Sequence, residues 1–315
     1  MSSFTWSTFL PFIDSSIVAE MGRGVKVALL DSGVDFSHPA LSHLKRDGRC
    51  FDATKVTLSV DNDFLEGTDN VFDDTHPDSY HGSNLAGIMA GQSQLSGEEY
   101  TGIAPEMDMY IFKVSDADGF IFLDAYYRAL AYAVKKLDVD IICSAVYPER
   151  DFTQGTLNFQ SQELTDVLTE ITDKNILFFQ ALRNVNNPLH LRPLSFPASR
   201  AASIDVGVMT SPFQQAVIAG HGDDLPSIIE YIIPQFDVGI CSKGPSVTTN
   251  PLSASQSTAV LSGIASLLLQ HKRQQSGDDT ARLSREDLHQ LLDPSSKPMT
   301  GSDVFNNPLQ LCIPS

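Results

Sequence analysis

The chain has 315 residues, 42% of them hydrophobic, and a net charge of −18. That length suits one α/β domain with a sizeable core and is long for an all-helical bundle. The acidic balance argues against nucleic acid and anionic membrane as partners, since both would repel the surface, and leaves room for a basic peptide.

The N-terminus, MSSFTWSTFLPF, lacks a basic stretch followed by an apolar one, so it does not read as a secretory signal. The apolar runs are shorter than a membrane span. Cys50, Cys143, Cys241 and Cys312 are scattered without CxxC spacing, which gives no disulfide framework and no zinc site. Cys143 lies in an apolar run and is expected to be a buried thiol. A cytoplasmic protein is the expectation, with a secreted mature form expressed without its leader as the alternative.

Ile17 to Met21 reads as a short helix ending at Gly22 and Gly24. Val25 to Leu30 is a near-continuous apolar run, as in a strand buried on both faces of a parallel sheet, and it ends in Asp31-Ser32-Gly33. The carboxyl end of such a strand is where α/β folds place their chemistry, although an Asp there also serves as a turn or cap residue. Residues 50–80 are acidic and irregular. Asp61, Asp63, Glu66, Asp69, Asp73 and Asp74 supply calcium-type oxygens, but Gly67 falls one place late for an EF-hand loop. A solvated surface loop is the preferred reading of 61–78, so no cofactor is expected.

His81-Gly82-Ser83 leads into an apolar segment, Leu85 to Met89, that reads as helical. MDMYIFKV is a strand, Asp118-Gly119 a turn, and Ala125 to Leu137 an amphipathic helix. VDIICSAV (139–146), ILFFQALRN (176–184) and ASIDVGVM (202–209) read as strands. Leu164, Val167, Leu168 and Ile171 mark a helix at i, i+3, i+4, i+7. Residues 210–250 hold several prolines and suit short strands and loops. In Asn250 to Gln270, small and hydroxyl residues lead into a helix with Val260, Leu261, Ile264, Leu267 and Leu268 on one stripe. Ser284 to Leu292 is a short helix with Asp287 placed for a capping box. Alternating strands and helices imply an α/β fold with a mostly parallel central sheet and helices on both faces. Without repeats or a long linker, the chain reads as one domain over 1–315, with a core of about 20–292 and a tail at 293–315 over the surface.

Asp31, His81 and Ser255 stand in one of the chain orders of triad chemistry: a hydroxyl nucleophile, an imidazole base, and a carboxylate that fixes the tautomer. Ser255 sits where the free N–H groups of a helix start converge, a place that favours a developing oxyanion. Cap residues also favour Ser and Thr, so Ser253, Ser255, Ser257 and Thr258 have an ordinary reading as well.

The local sequences resemble the subtilase (subtilisin-like serine peptidase) family. VKVALLDSGVDFSHPAL resembles the aspartate motif, HGSNLAGIMAG the histidine motif HGTHVAG, and TGIAPEMDMYIFKV the GVAP segment with its strand. VDIICSAV resembles the strand carrying Ser-Leu-Gly. FFQALRN, with FPAS and IDVGV after it, resembles the AAGN stretch, and SASQSTAVLSGIASLL the serine motif GTSMAxPxVxGxxALL. The matches run in family order from about residue 20 to residue 292. The resemblance implies a subtilisin-like fold and a serine protease (hydrolase) acting on a peptide or protein substrate. Ser255 would be the nucleophile, His81 the base, Asp31 its orienting carboxylate, and Asn184 an oxyanion donor. It also implies a cleft between Gly119, Phe120, Ile121 on one side and Ser144, Ala145, Val146 on the other.

This chain departs from the pattern around the serine. Ser253-Ala254 replaces Gly-Thr, Gln256-Ser257 replaces Met-Ala, and Ala259 replaces the helix proline. Arg183 and Val146 replace glycines and are expected to narrow the cleft, Asn84 replaces the second His of HGTHVAG, and Ala40 replaces the calcium-binding aspartate. A register shifted by two, onto Ser253 or Ser257, is the alternative to Ser255, which is preferred because it aligns Gly263 with the helix glycine. Three activities follow: an endopeptidase of restricted specificity, a pseudo-peptidase that holds an extended peptide or partner, or a peptide ligase or macrocyclase. Oligomeric state stays open.

Overall fold

The computed structural model describes residues 4–5, 17, 21–54, 80–95, 98–148, 161–181, 202–209, 231–234, 237–292, 296–298 and 309–311. In chain order the strands are β1 (Phe4–Thr5), β2 (Lys26–Asp31), β3 (Cys50–Asp52), β4 (Gln92–Leu95), β5 (Glu98–Thr101), β6 (Asp108–Lys113) and β7 (Ile141–Ser144). They continue with β8 (Leu177–Ala181), β9 (Ser203–Met209), β10 (Tyr231–Pro234), β11 (Asp237–Ser242), β12 (Ser246–Pro251), β13 (Ser296–Pro298) and β14 (Leu309–Leu311). The helices are α1 (His81–Ala90), α2 (Leu123–Tyr132), α3 (Gln162–Asp173), α4 (Ala254–Ser276) and α5 (Arg285–Leu292).

A nine-stranded sheet runs in the order β13-β14-β10-β9-β8-β7-β2-β6-β3. Its pairs are parallel except β13 with β14. The chain lays β6 on one side of β2 and β7 on the other, so the strand order reverses at β2. In open α/β sheets such a reversal opens a crevice at the carboxyl ends of the strands. Asp31 is the last residue of β2 and lies at that crevice.

Side chains alternate along each strand between two apolar layers. Val27 and Leu29 of β2, Ile141 and Cys143 of β7, and Leu177, Phe179 and Ala181 of β8 share a layer with α1, α4 and α5. Ala28, Leu30, Ile142 and Phe178 point the other way, into a layer with α2 and α3. The alternation makes both faces apolar, which is why these strands read as continuous hydrophobic runs. It also assigns sides: Asp31 shares the parity of Val27 and Leu29 and belongs to the α1/α4 face, while Ser144 shares that of Ile142 and belongs to the α2/α3 face.

Helix α4 differs from the one-stripe helix expected of it. Val260, Leu261, Ile264, Leu267 and Leu268 are buried as foreseen, but Ser257, Thr258, Ser262 and Ser266 are buried as well, each 0% exposed. Thr258 donates its hydroxyl to the carbonyl of Ala254, Ser262 to that of Thr258, and Ser266 to that of Ser262. These three hydroxyls are satisfied by their own helix, whereas Ser257 Oγ is buried without a hydrogen-bond partner among the described residues. Close packing also needs Gly263, because a Cβ there would lie 2.8 Å from Ile103 Cβ.

The amphipathic helix expected at Ala125 to Leu137 begins at Leu123 and changes after Tyr132 to a wider π-type turn over Ala133–Leu137. The capping box expected at Ser284 is present: Ser284 N donates to Asp287 Oδ2 and Asp287 N to Ser284 Oγ. β1, β3, β4 and β5 were not foreseen in the sequence. β3 extends the main sheet, and β4 and β5 form a small sheet with β1. The tail, expected over the surface, places β13 and β14 at the edge of the main sheet.

Candidate active site

Two elements present the acid and the imidazole. β2 ends in Asp31, 1% exposed, and α1 begins with His81. Asp31 Oδ1 lies 2.8 Å from His81 Nδ1 and also accepts the Ser32 N–H at 2.8 Å. A carboxylate can only accept, so Nδ1 carries the proton and Nε2 keeps the lone pair a general base needs. Asp31 Oδ2 is buried and has no hydrogen-bond partner among the described residues.

The approach of α1 to β2 depends on Gly82. A Cβ there would sit 2.1 Å from the Gly33 carbonyl oxygen and 3.2 Å from Asp31 Oδ1, so any side chain would push His81 away from its carboxylate. Gly33 turns the chain after Asp31 with φ 102°, a conformation that glycine adopts without strain. Gly82 N donates to Ser32 Oγ at 2.9 Å, tying the helix start to that turn.

Tyr80, directly before His81, has φ 41° and ψ 38°. A non-glycine residue in this left-handed region costs about 1–2 kcal/mol. The Tyr80 side chain is buried and donates its hydroxyl to Asp35 Oδ2. Asp35 Oδ1 accepts the Ser37 N–H at 2.8 Å, and Asp35 N donates to Ser83 Oγ at 2.9 Å. Burial would raise the Asp35 carboxyl, but the bonds from Ser37 and Tyr80 outweigh it and hold it below the ordinary carboxylate value. Nothing in the sequence pattern marked Asp35 or Tyr80. The available signal was a second acid four places after Asp31 and an aromatic residue before the His.

Ser255 is the second residue of α4, which packs against α1, and it is 9% exposed. The other two serines of that turn are placed differently. Ser253 is the N-cap of a capping box: its Oγ accepts Gln256 N at 3.4 Å, and Gln256 Oε1 accepts Ser253 N at 2.7 Å. Ser257 is 0% exposed. The first turn of a helix leaves its N–H groups without intrahelical acceptors, and Ser253 takes only that of Gln256. The Ser255 N–H therefore stands at the positive end of α4.

The expected cleft walls fall at the same carboxyl edge. Asp116 N donates to the Phe120 carbonyl and Ser115 bridges to Ile121, which makes 115–121 a tight hairpin. Gly119 takes φ 83° at its tip, Phe120 is exposed, and Ile121 is buried. Opposite, the Ser144 hydroxyl is fully buried against Tyr126 OH at 2.8 Å, as its parity dictates, so Ser144 has only main chain to offer a peptide. Ala145 is buried and Val146 half-buried. Asn184 and Arg183 lie outside the described residues.

Burial pushes the Cys143 and Cys241 thiols up to about 12, so neither is a thiolate at neutral pH. Cys50 is also a buried free thiol. Ala40 is fully buried and offers no carboxylate to a cation; its N–H donates to His38 Nδ1, and His38 Nε2–H faces the Ser246 carbonyl. The acidic 61–78 loop and Cys312 lie outside the described residues. No group of three or more His, Cys, Asp or Glu side chains among the described residues is placed to hold a metal ion. No described helix is long and apolar enough to cross a membrane.

The profile of the Subtilase family matches residues 22–307. The chain is 37% identical over 121 residues to "Intracellular serine protease" of Paenibacillus polymyxa, covering 38% of this chain and 32% of that protein. It is 26% identical over 204 residues to Subtilisin E of Bacillus subtilis (strain 168), covering 65% of this chain and 46% of that one. It is 26% identical over 188 residues to "Membrane-bound transcription factor site-1 protease" of Homo sapiens, covering 59% of this chain and 14% of that one. The chain thus spans less than half the length of each of these relatives.

Proposed function

We propose, from the premise that this chain belongs to the subtilase family, that it is a serine endopeptidase working through an acyl-enzyme on Ser255. The observation that carries this reading is the Asp31–His81 bond, which places the proton on Nδ1 and the basic lone pair on Nε2. Ser255 Oγ attacks the scissile carbonyl and passes its proton to Nε2. The oxyanion takes the N–H of Ser255 and the side-chain amide of Asn184; each such donor contributes about 2.7–4 kcal/mol to the transition state. His81 then gives the proton to the leaving amine, and water, deprotonated by the same nitrogen, releases the acid. Asp31 holds the imidazole and stabilises its charged form.

The substrate is an extended peptide or protein segment laid as a strand between 119–121 and 144–146. Val146, standing where the resemblance has glycine, supports a narrow cleft and restricted specificity. The name of the Paenibacillus relative supports a cytoplasmic place of action.

Labelling with a fluorophosphonate probe, read by intact mass and peptide mapping, tests the reading. One adduct on Ser255, lost in Ser255→Ala, is the expected result. If neither this probe nor a small sulfonyl fluoride labels the protein, the peptidase reading fails and peptide binding without turnover takes its place. An adduct on Ser253 or Ser257 would overturn the register. A labelled enzyme that joins peptides instead of hydrolysing them would be a ligase.

A further inference from the structure

Three of the first four residues around the start of α1 are tied to the turn that follows Asp31. Gly82 N is bonded to Ser32, Ser83 Oγ takes the N–H of Asp35, and Tyr80 OH is bonded to the Asp35 carboxylate. The residue these ties enclose is His81. A left-handed conformation at an aromatic residue persists only where the surroundings over-determine it. Here the ring is buried, the hydroxyl is anchored, and the Tyr80 carbonyl accepts the Asn84 N–H at 3.0 Å as the first turn begins. Helix caps need none of this: Tyr80 makes no side-chain cap. What the arrangement does fix is the direction in which the next residue leaves the helix.

We propose that Tyr80 and Asp35 are positioning residues for His81, a clamp that sets the imidazole in line with Asp31. The inference rests on the catalytic reading above, in which the direction of Nε2 matters. Asp35 is suited to the task because both its oxygens and its N–H are engaged, so it is a fixed anchor. The clamp transmits through backbone geometry at residue 80 and touches no substrate.

Tyr80→Phe keeps the buried ring and removes only the hydroxyl. The expected result is a labelling rate at Ser255 and a kcat lowered about tenfold, with KM unchanged within about twofold. The downfield proton of the His81 Nδ1–H···Asp31 bond, observed by NMR, shifts or broadens in the variant. Asp35→Asn, which keeps an acceptor for Tyr80, retains more activity than Asp35→Ala. If Tyr80→Phe changes the melting temperature but neither the labelling rate nor the His81 proton resonance, the pair is structural only and the proposal falls. Wild-type protein that takes no label would sink the peptidase reading, and the His81 resonance, which needs no turnover, would still decide the clamp.

Discussion

The main sheet buries an aspartate at each end, and the two are treated differently. At the amino end, Asp140 precedes β7. Its Oδ1 takes Arg273 at 2.6 Å and Arg282 at 2.8 Å, and its Oδ2 takes the Lys26 N–H at 2.9 Å. Arg273 also donates to the carbonyls of Gly24 and Ala281, so the far end of α4 is locked to the start of β2. At the carboxyl end, Asp31 faces an imidazole and one N–H, with Oδ2 unmatched, beside a residue held in a strained conformation. One end has its charges matched and the other keeps capacity in reserve. Left-handed non-glycine residues stand at both ends, Met21, Asp138 and Asn175 ahead of strands and Tyr80 ahead of His81, so the difference between the ends lies in how the two carboxylates are paired.

The contrast would break if both aspartates responded alike to substitution. Asp31→Asn is expected to lower kcat about 10⁴-fold by favouring the wrong tautomer of His81, with the melting temperature nearly unchanged. Steady-state kinetics and a thermal melt check both halves. Asp140→Ala is the converse. It leaves buried Arg273 without its carboxylate and is expected to cost about 3 kcal/mol in urea unfolding, while Ser255 labelling of the folded protein stays near the wild-type rate.

A smaller effect sharpens the comparison within α4. Ser253→Ala removes a cap and is expected to cost about 1 kcal/mol of stability. Labelling at Ser255 should persist; its loss together with the cap would reopen the register. The smallest effect concerns acid. The folded carboxyl of Asp35 lies below its unfolded value, so its contribution is present above the ordinary carboxylate range and is lost as pH falls through the folded value. Acid unfolding of wild type should therefore be steeper on its low-pH side than that of Asp35→Asn, as circular dichroism would show.

The buried strands and helices were legible in sequence because both faces of the sheet are covered and the apolar runs are unbroken. β4 (QSQL) and β5 (EEYT) were not, because short polar strands in a small sheet carry no such pattern. The full burial of the α4 hydroxyls was not legible, because a back-bonded Ser or Thr looks polar in sequence and behaves as a satisfied group in the core. Asp31, His81 and Ser255 were legible as motifs. The Tyr80–Asp35 link was not, since a left-handed tyrosine has no compositional signature and depends on a partner 45 positions away.

The alternation of β2 has a consequence for how this chain can change length. A single insertion or deletion between Val25 and Asp31 would carry the carboxylate to the layer of α2 and α3, away from His81, and would expose half the strand's apolar residues to the wrong partners. Changes of two residues would preserve the face but lengthen or shorten the reach to α1. Homologous chains should therefore tolerate indels in the turns flanking this strand and exclude odd-numbered ones within it. The constraint comes from pleat geometry, so it would hold even for a descendant that had lost its chemistry.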